Sequence, residues 1–214
     1  MTKESKVEIT GFEAKHYDFL LDFVSLGRYK SFIERAMADM KIQPEDRIID
    51  LGCGTGRNAQ LMAKYLSDKG SILGLDIGDE MIAQFKEKFK QRQNIKVEKM
   101  HIDEPLPFEN EFDKALISFV LHGFQPNKQE IIISNIKKVL KPGGEFFLLD
   151  WQEFNLDEKP WYFRFAFKKF ECRLAQGFVK KDWKAYLRQK GFGDFEETSY
   201  FRNLIRLLRS RKFD

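Results

Sequence analysis

Apolar residues in this chain keep two periods, and the two alternate. Short runs of strand length occur at Ile48, Ile49 and Leu51, at Ile72 to Leu75, at Ala115 to Val120 and at Glu145 to Leu149, while Asn94 to His101 alternates Ile95 and Val97 with polar neighbours. Between these runs the apolar positions recur at three- and four-residue spacings. They predict helices over Asn58 to Leu66, Asp79 to about Lys90, and Lys128 to Leu140, the last through Ile131, Ile132, Ile136 and Val139. Upstream, Phe12 to Met40 reads as one or two helices broken at Gly27. Pro142, Gly143 and Gly144 form a break that separates the last of these helices from its strand. Two closing segments, GFGDFEETSYF and NLIRLLRSRK, read as further strands joined at Arg202 and Asn203, and the arginines of the second suit a strand edge with solvated charges. Strand and helix in regular alternation predict an α/β domain with a mostly parallel sheet.

The first strand runs directly into glycines. Arg47 to Asn58 reads RIIDLGCGTGRN, so a strand, a loop with Gly52, Gly54 and Gly56, and a helix follow one another. A glycine-rich loop in that setting lets a ligand approach the backbone, which makes it a candidate cofactor cradle. A dinucleotide fold asks for G-x-G-x-x-G with the pyrophosphate on the helix N-terminus. Here the third glycine comes one residue early and Arg57 stands in its place. Asp50, ahead of the loop, would repel a pyrophosphate and attract an ammonium group. The second landmark is SILGLDIGDEM, where Asp76 ends a buried strand 20 residues after Gly56, placed to accept hydrogen bonds from ribose hydroxyls.

DLGCGTG, from Asp50 to Gly56, resembles motif I of the class I S-adenosylmethionine-dependent methyltransferases. Further phrases resemble the same group in the same order: the acid at Asp76, LPF at Leu106 to Phe108 followed by Phe112-Asp113 and an apolar strand, and LKPGGEFFLLD at Leu140 to Asp150. The segment FEAKHYDFLLDFVSLGRYKSFIERA resembles the stretch before motif I in the ubiquinone and menaquinone biosynthesis methyltransferases, with Gly27-Arg28-Tyr29-Lys30 in place of their Gly-Ile-His-Arg-like turn. The resemblance implies a Rossmann-like, doubly wound seven-stranded sheet whose last strand inserts antiparallel beside the fifth. Helical additions are expected at the N-terminus (11–40) and, as a substrate-covering lid, after the fifth strand (151–188), all in one domain. It implies S-adenosylmethionine as cofactor. Asp50 would orient its ammonium, Gly52, Cys53, Gly54 and Gly56 would line it, and Asp76 with Ile77 would hold the ribose. Met81 would pack on the adenine unless it is ordinary core, Asp103 or Glu104 would bind the adenine amino group, Ser118 would face the methionine end, and Tyr17 would lie over the cofactor.

His122 follows the fourth strand in LHGF, at the rim where acceptors bind in open α/β sheets. An imidazole there can take a proton during methyl transfer, or it can serve only as a substrate contact. Aromatic residues crowd Trp161 to Phe170 together with Arg164, Lys168 and Lys169. Such a segment suits a water-excluding lid over a small apolar or aromatic acceptor, a quinone precursor among them, or an amphipathic helix pair packed on the sheet, and it is compatible with peripheral membrane contact.

Composition narrows the rest. The net charge of +4 permits acidic partners without demanding them. No basic stretch outside the lid is interleaved with aromatics, and no Asn/Asp-Pro-Pro-Tyr phrase follows the fourth strand, so RNA or protein is the lesser alternative as acceptor. A nicotinamide-dependent dehydrogenase or a non-catalytic nucleotide-binding module are rivals from other classes. The two cysteines, Cys53 and Cys172, stand far apart with no C-x-x-C, so neither a disulfide framework nor a metal site is expected. MTKESKVEIT has no apolar core of a leader, and no stretch is long enough to span a bilayer, so a cytoplasmic protein is expected.

Overall fold

The computed structural model describes residues 28–170 and 173–213. Tyr17, the part of the predicted Phe12 to Met40 helical segment that precedes Arg28, and Cys172 lie outside the described residues. Helix α1 (Arg28–Asp39) precedes β1 (Arg47–Leu51), α2 (Arg57–Met62), β2 (Ser71–Asp76), α3 (Asp79–Lys88), β3 (Ile95–Lys99) and β4 (Phe112–Ser118). A 3-10 turn at Leu121–Gly123 leads to α4 (Pro126–Val139) and β5 (Leu140–Trp151). Three helices follow, α5 (Trp161–Phe170), α6 (Arg173–Phe178) and α7 (Trp183–Gln189), and then β6 (Phe192–Tyr200) and β7 (Ile205–Lys212).

The seven strands form one sheet in the order β3-β2-β1-β4-β5-β7-β6. All neighbours pair in parallel except β7, which is antiparallel to both β5 and β6. Strand order reverses between β1 and β4, so a crevice opens there beyond the strand carboxyl ends, where ligands bind in such sheets. Both faces are covered. Ile48, Leu116, Phe147 and Leu149 pack with Phe32, Ile33 and Met37 of α1 on one side, and Ile49, Ile117, Phe146 and Leu148 with Ile132, Ile133, Ile136 and helices α5 to α7 on the other. Burial on two faces is why the central strands read as unbroken apolar runs.

Local signals place the helices. Asp79 and Glu80 open α3 and Lys86 and Lys88 close it, matching the helix dipole. Pro126 begins α4, where its missing N–H costs nothing. Asp182 caps α7 by accepting from the Ala185 N–H at 2.9 Å.

Three expectations are corrected. Strand β5 runs through Pro142-Gly143-Gly144 rather than starting after it, and its register against β4 jumps from Phe112↔Leu140 to Lys114↔Glu145. The breakers mark a bulge, with Gly143 at φ 71°, and no turn. Strand β4 ends at Ser118 instead of Val120, because Phe119 turns out of the ladder at φ 55°. The tail arginines do not line an edge: β7 is interior, and Arg206 is buried between Glu153 and Glu197.

Candidate functional site

The glycine loop is tied to the neighbouring strand by its backbone. The N–H groups of Gly52 and Cys53 both donate to the Leu75 carbonyl, at 2.8 and 3.0 Å. From the end of β2, the Asp76 carboxylate accepts from the N–H groups of Gly54 (2.8 Å), Ile77 (2.8 Å) and Gly78 (2.9 Å). Asp76 therefore holds the two loops that flank the crevice in one arrangement. Three of its roughly four acceptor positions are used, which leaves about one for a further donor such as a hydroxyl.

Two glycines of the loop do different work. Gly56 has φ 78°, and a Cβ there would lie 2.6 Å from Phe85 and 2.8 Å from Phe89, so this residue lets α2 close on α3. Gly54 has φ 53° and nothing within 4 Å of where a Cβ would be. Approach to its backbone from that side is unobstructed. Cys53 sits in the loop, yet its thiol packs under Gly74 and is buried in the core, where burial pushes its pKa well up.

Asp50 is the anomaly of the site. It is fully buried on β1, and neither carboxylate oxygen has a hydrogen-bond partner among the described residues. Burial first, and the Asp76 charge second, push its pKa up to about 7. Orphaned buried carboxylates are costly, and a cation placed near one recovers that cost.

Around this centre the other expected residues are distributed unevenly. Ile77 is half-buried beside Asp76, while Met81 is buried on the first turn of α3 with its side chain against Gly78. Asp103 stands half-buried in the turn after β3, with Lys128 Nζ at 2.9 Å and His101 Nδ1 at 3.8 Å. Glu104 is exposed. Ser118 is half-buried at the last position of β4.

His122 lies where β4 gives way to the 3-10 turn, and its Nδ1 is 2.7 Å from Asp150 Oδ1. Asp150 is itself fixed: its Oδ1 accepts from the Trp151 N–H at 2.8 Å and its Oδ2 from the His122 N–H at 3.3 Å. The carboxylate is fully buried and the ring is half-buried. A carboxylate only accepts, so a neutral ring facing one donates from Nδ1 and keeps its lone pair at Nε2. The left-handed Phe119 is what swings the chain back so that His122 meets β5. Sequence reasoning missed Asp150, although it ends the apolar run FFLLD just as Asp76 ends ILGLD.

Helices α5 to α7 close the site from one side. Trp151, Phe154, Phe163 and Phe167 form a continuous group of edge-on and stacked rings, 5.2 to 6.3 Å apart, and Phe178 lies 6.1 Å from the His122 ring. A second missed pair anchors them. Glu153 accepts from the Trp183 N–H at 2.9 Å and from Arg206 Nη2 at 2.8 Å, and Arg206 also reaches Glu197 at 3.1 Å. The start of α7 is thereby bound to the sheet.

Residues 48–144 match a family model described as a methyltransferase domain. The demethylmenaquinone methyltransferase of Shouchella clausii (strain KSM-K16) is 27% identical over 169 residues, covering 78% of this chain and 71% of its own. That of Staphylococcus aureus (strain JH9) is 29% identical over 176 residues, covering 79% and 71%. Among solved structures, a SAM-dependent methyltransferase from Aquifex aeolicus superposes with a TM-score of 0.61 at 19% identity, over 83% of this chain and 88% of its own, a likeness of fold.

Proposed function

We propose that the chain is a class I S-adenosylmethionine-dependent methyltransferase acting on a small molecule, apolar or aromatic and of the quinone-precursor kind, which gives up its proton to His122. The residues present fit the donor. Asp50, buried and without a partner among the described residues, suits a ligand that brings an ammonium group, Gly54 leaves space for close backbone approach, Asp76 has an acceptor position left for a ribose hydroxyl, and Asp103 would take the adenine amino group. Bound there, S-adenosylmethionine supplies an electrophilic methyl carbon on a sulfonium.

The chain's own part in the reaction is positioning, exclusion of water and removal of one proton. His122 takes the proton that the acceptor loses as it gains the methyl group, and Asp150 keeps the ring in the tautomer and orientation that leave Nε2 as base. The rings of Trp151, Phe154, Phe163 and Phe167 would bound an apolar acceptor and keep water from a step in which charge is dispersed. Holding both reactants in near-attack geometry accounts for the remaining acceleration without a covalent intermediate.

The observation that carries this reading is the His122–Asp150 hydrogen bond of 2.7 Å at the rim of the sheet. The names of the curated relatives, demethylmenaquinone methyltransferases, support an acceptor of that chemistry. Purified protein is incubated with methyl-labelled donor and either demethylmenaquinone, a water-soluble hydroxylated aromatic, or total RNA and protein. Label is expected on the aromatic acceptors, and His122→Gln is expected to lower kcat about 100- to 10,000-fold. Asp150→Asn, with the ring still present but wrongly oriented, should also lower kcat and leave donor affinity unchanged. Label on RNA or protein alone, or full activity in His122→Gln, overturns the proposal.

A further inference from the structure

Helix α5 carries aromatic residues on two sides. Inward, Phe163 and Phe167 pack on Phe154 and Trp151. Outward, Trp161, Tyr162 and Phe165 are 73%, 62% and 62% exposed. Of the seven large hydrophobic side chains that stand exposed among the described residues, these three fall within five consecutive positions. Single exposed apolar residues need no explanation, but a cluster of three rings does.

Cations border the cluster. Over residues 157–173 there are five basic residues, Lys159, Arg164, Lys168, Lys169 and Arg173, against the acids Asp157, Glu158 and Glu171. Lys168 and Lys169 form the last turn of α5, and Lys169 Nζ stands 5.7 Å from the Phe165 ring. Aromatic rings with a polar handle next to flexible cations are suited to the boundary between lipid headgroups and acyl chains. We propose that the outward face of α5 seats this protein on the surface of an anionic lipid bilayer. Charge decides against a second copy of the chain as occupant. A two-fold contact through this face would set its lysines against their own images.

The position of α5 gives the contact a use. Its inward rings rest on Trp151, the residue after Asp150, so the helix borders the mouth of the site that holds His122. An apolar acceptor dissolved in the bilayer would then enter without crossing water. That use rests on the acceptor proposed above, whereas the lipid contact is measurable with no acceptor present, so the two readings fail separately.

The test is flotation of the full chain with vesicles of phosphatidylglycerol and, separately, of phosphatidylcholine, without donor or acceptor. Binding is expected to the anionic vesicles, absent from the zwitterionic ones and lost in high salt, which screens surface charge. Lys168→Gln with Lys169→Gln should weaken it roughly 30-fold, about fivefold for each cation removed. Trp161→Ser, Tyr162→Ser and Phe165→Ser together should abolish it, while methyl transfer to a water-soluble aromatic persists. Should the triple variant fail to fold, the lysine pair and the salt series still decide. Equal binding to both vesicles, no binding to either, or a solution dimer that the triple substitution splits would overturn the proposal.

Discussion

Replacing Asp50 by asparagine should stabilise the ligand-free protein at neutral pH and weaken donor binding at the same time. The carboxyl has no partner among the described residues, is fully buried, and is pushed up to about 7 by burial and then by Asp76. In the unfolded chain an aspartate titrates near 3.9. Below that pH both states hold the proton and Asp50 contributes nothing. Between about 4 and 7 the fold keeps a proton that the unfolded chain has lost, so stability falls as pH rises, and above 7 the full cost persists. At about 1.4 kcal/mol per pH unit, roughly three units amount to about 4 kcal/mol. Asparagine matches the neutral carboxyl in shape and does not titrate. The stability difference between Asp50→Asn and the parent should thus be near zero at pH 4 and approach about 4 kcal/mol at pH 8, a shift of about 2 M in the urea midpoint. Adenosylhomocysteine carries the ammonium group without the sulfonium, and titration calorimetry with it should show a 10- to 100-fold loss of affinity in the variant. In the parent at pH 6, binding should release close to one proton, read from the dependence of the heat on buffer ionisation. A variant no more stable than the parent at pH 8, or a stability difference that does not change with pH, refutes this account of Asp50.

The two structural glycines should separate fold from function. Gly54→Ala meets no atom and costs only the left-handed backbone, about 1 to 2 kcal/mol, but should reduce adenosylhomocysteine affinity. Gly56→Ala drives a methyl into Phe85 and Phe89 and should lower the melting temperature well beyond that of Gly54→Ala, as calorimetry would read it. Arg206→Met leaves Glu153 with the Trp183 N–H and Glu197 with Lys184 and Gln152, and should cost about 1 to 3 kcal/mol, a fall of about 5 °C in melting temperature. Glu153→Gln added to it should recover part of that loss, since a carboxylate that has lost its guanidinium is removed.

How far the fold could be read from the chain depended on where each residue's partner lay. The apolar runs of β1, β2 and β4 are legible because the sheet buries both their faces. Pro142 to Gly144 misled because a bulge and a turn use the same residues, and only the partner strand tells them apart. The arginines of β7 misled for a related reason. Alternation of leucine and arginine reads as one wet face, but Arg206 finds Glu197 nine positions away and Glu153 fifty-three positions away. No local window contains the Glu153 half of that pairing.

The same limit operates inside the site, on three acids that look alike in the sequence. Asp50, Asp76 and Asp150 each follow an apolar run and each stand at or one residue before the end of a strand. Their partners differ. Asp76 accepts three backbone N–H groups and so acts as a brace between loops. Asp150 accepts an imidazole nitrogen and two N–H groups, which makes it an orienting group for His122. Asp50 has no donor among the described residues and is therefore the acid whose charge a cationic ligand can claim. Residue type and strand position make all three visible as candidates, while hydrogen bonding assigns them different work. The glycine spacing singled out the first two because the loop lies beside them, whereas Asp150 became visible only once β4 and β5 were paired and His122 was turned back onto it by Phe119.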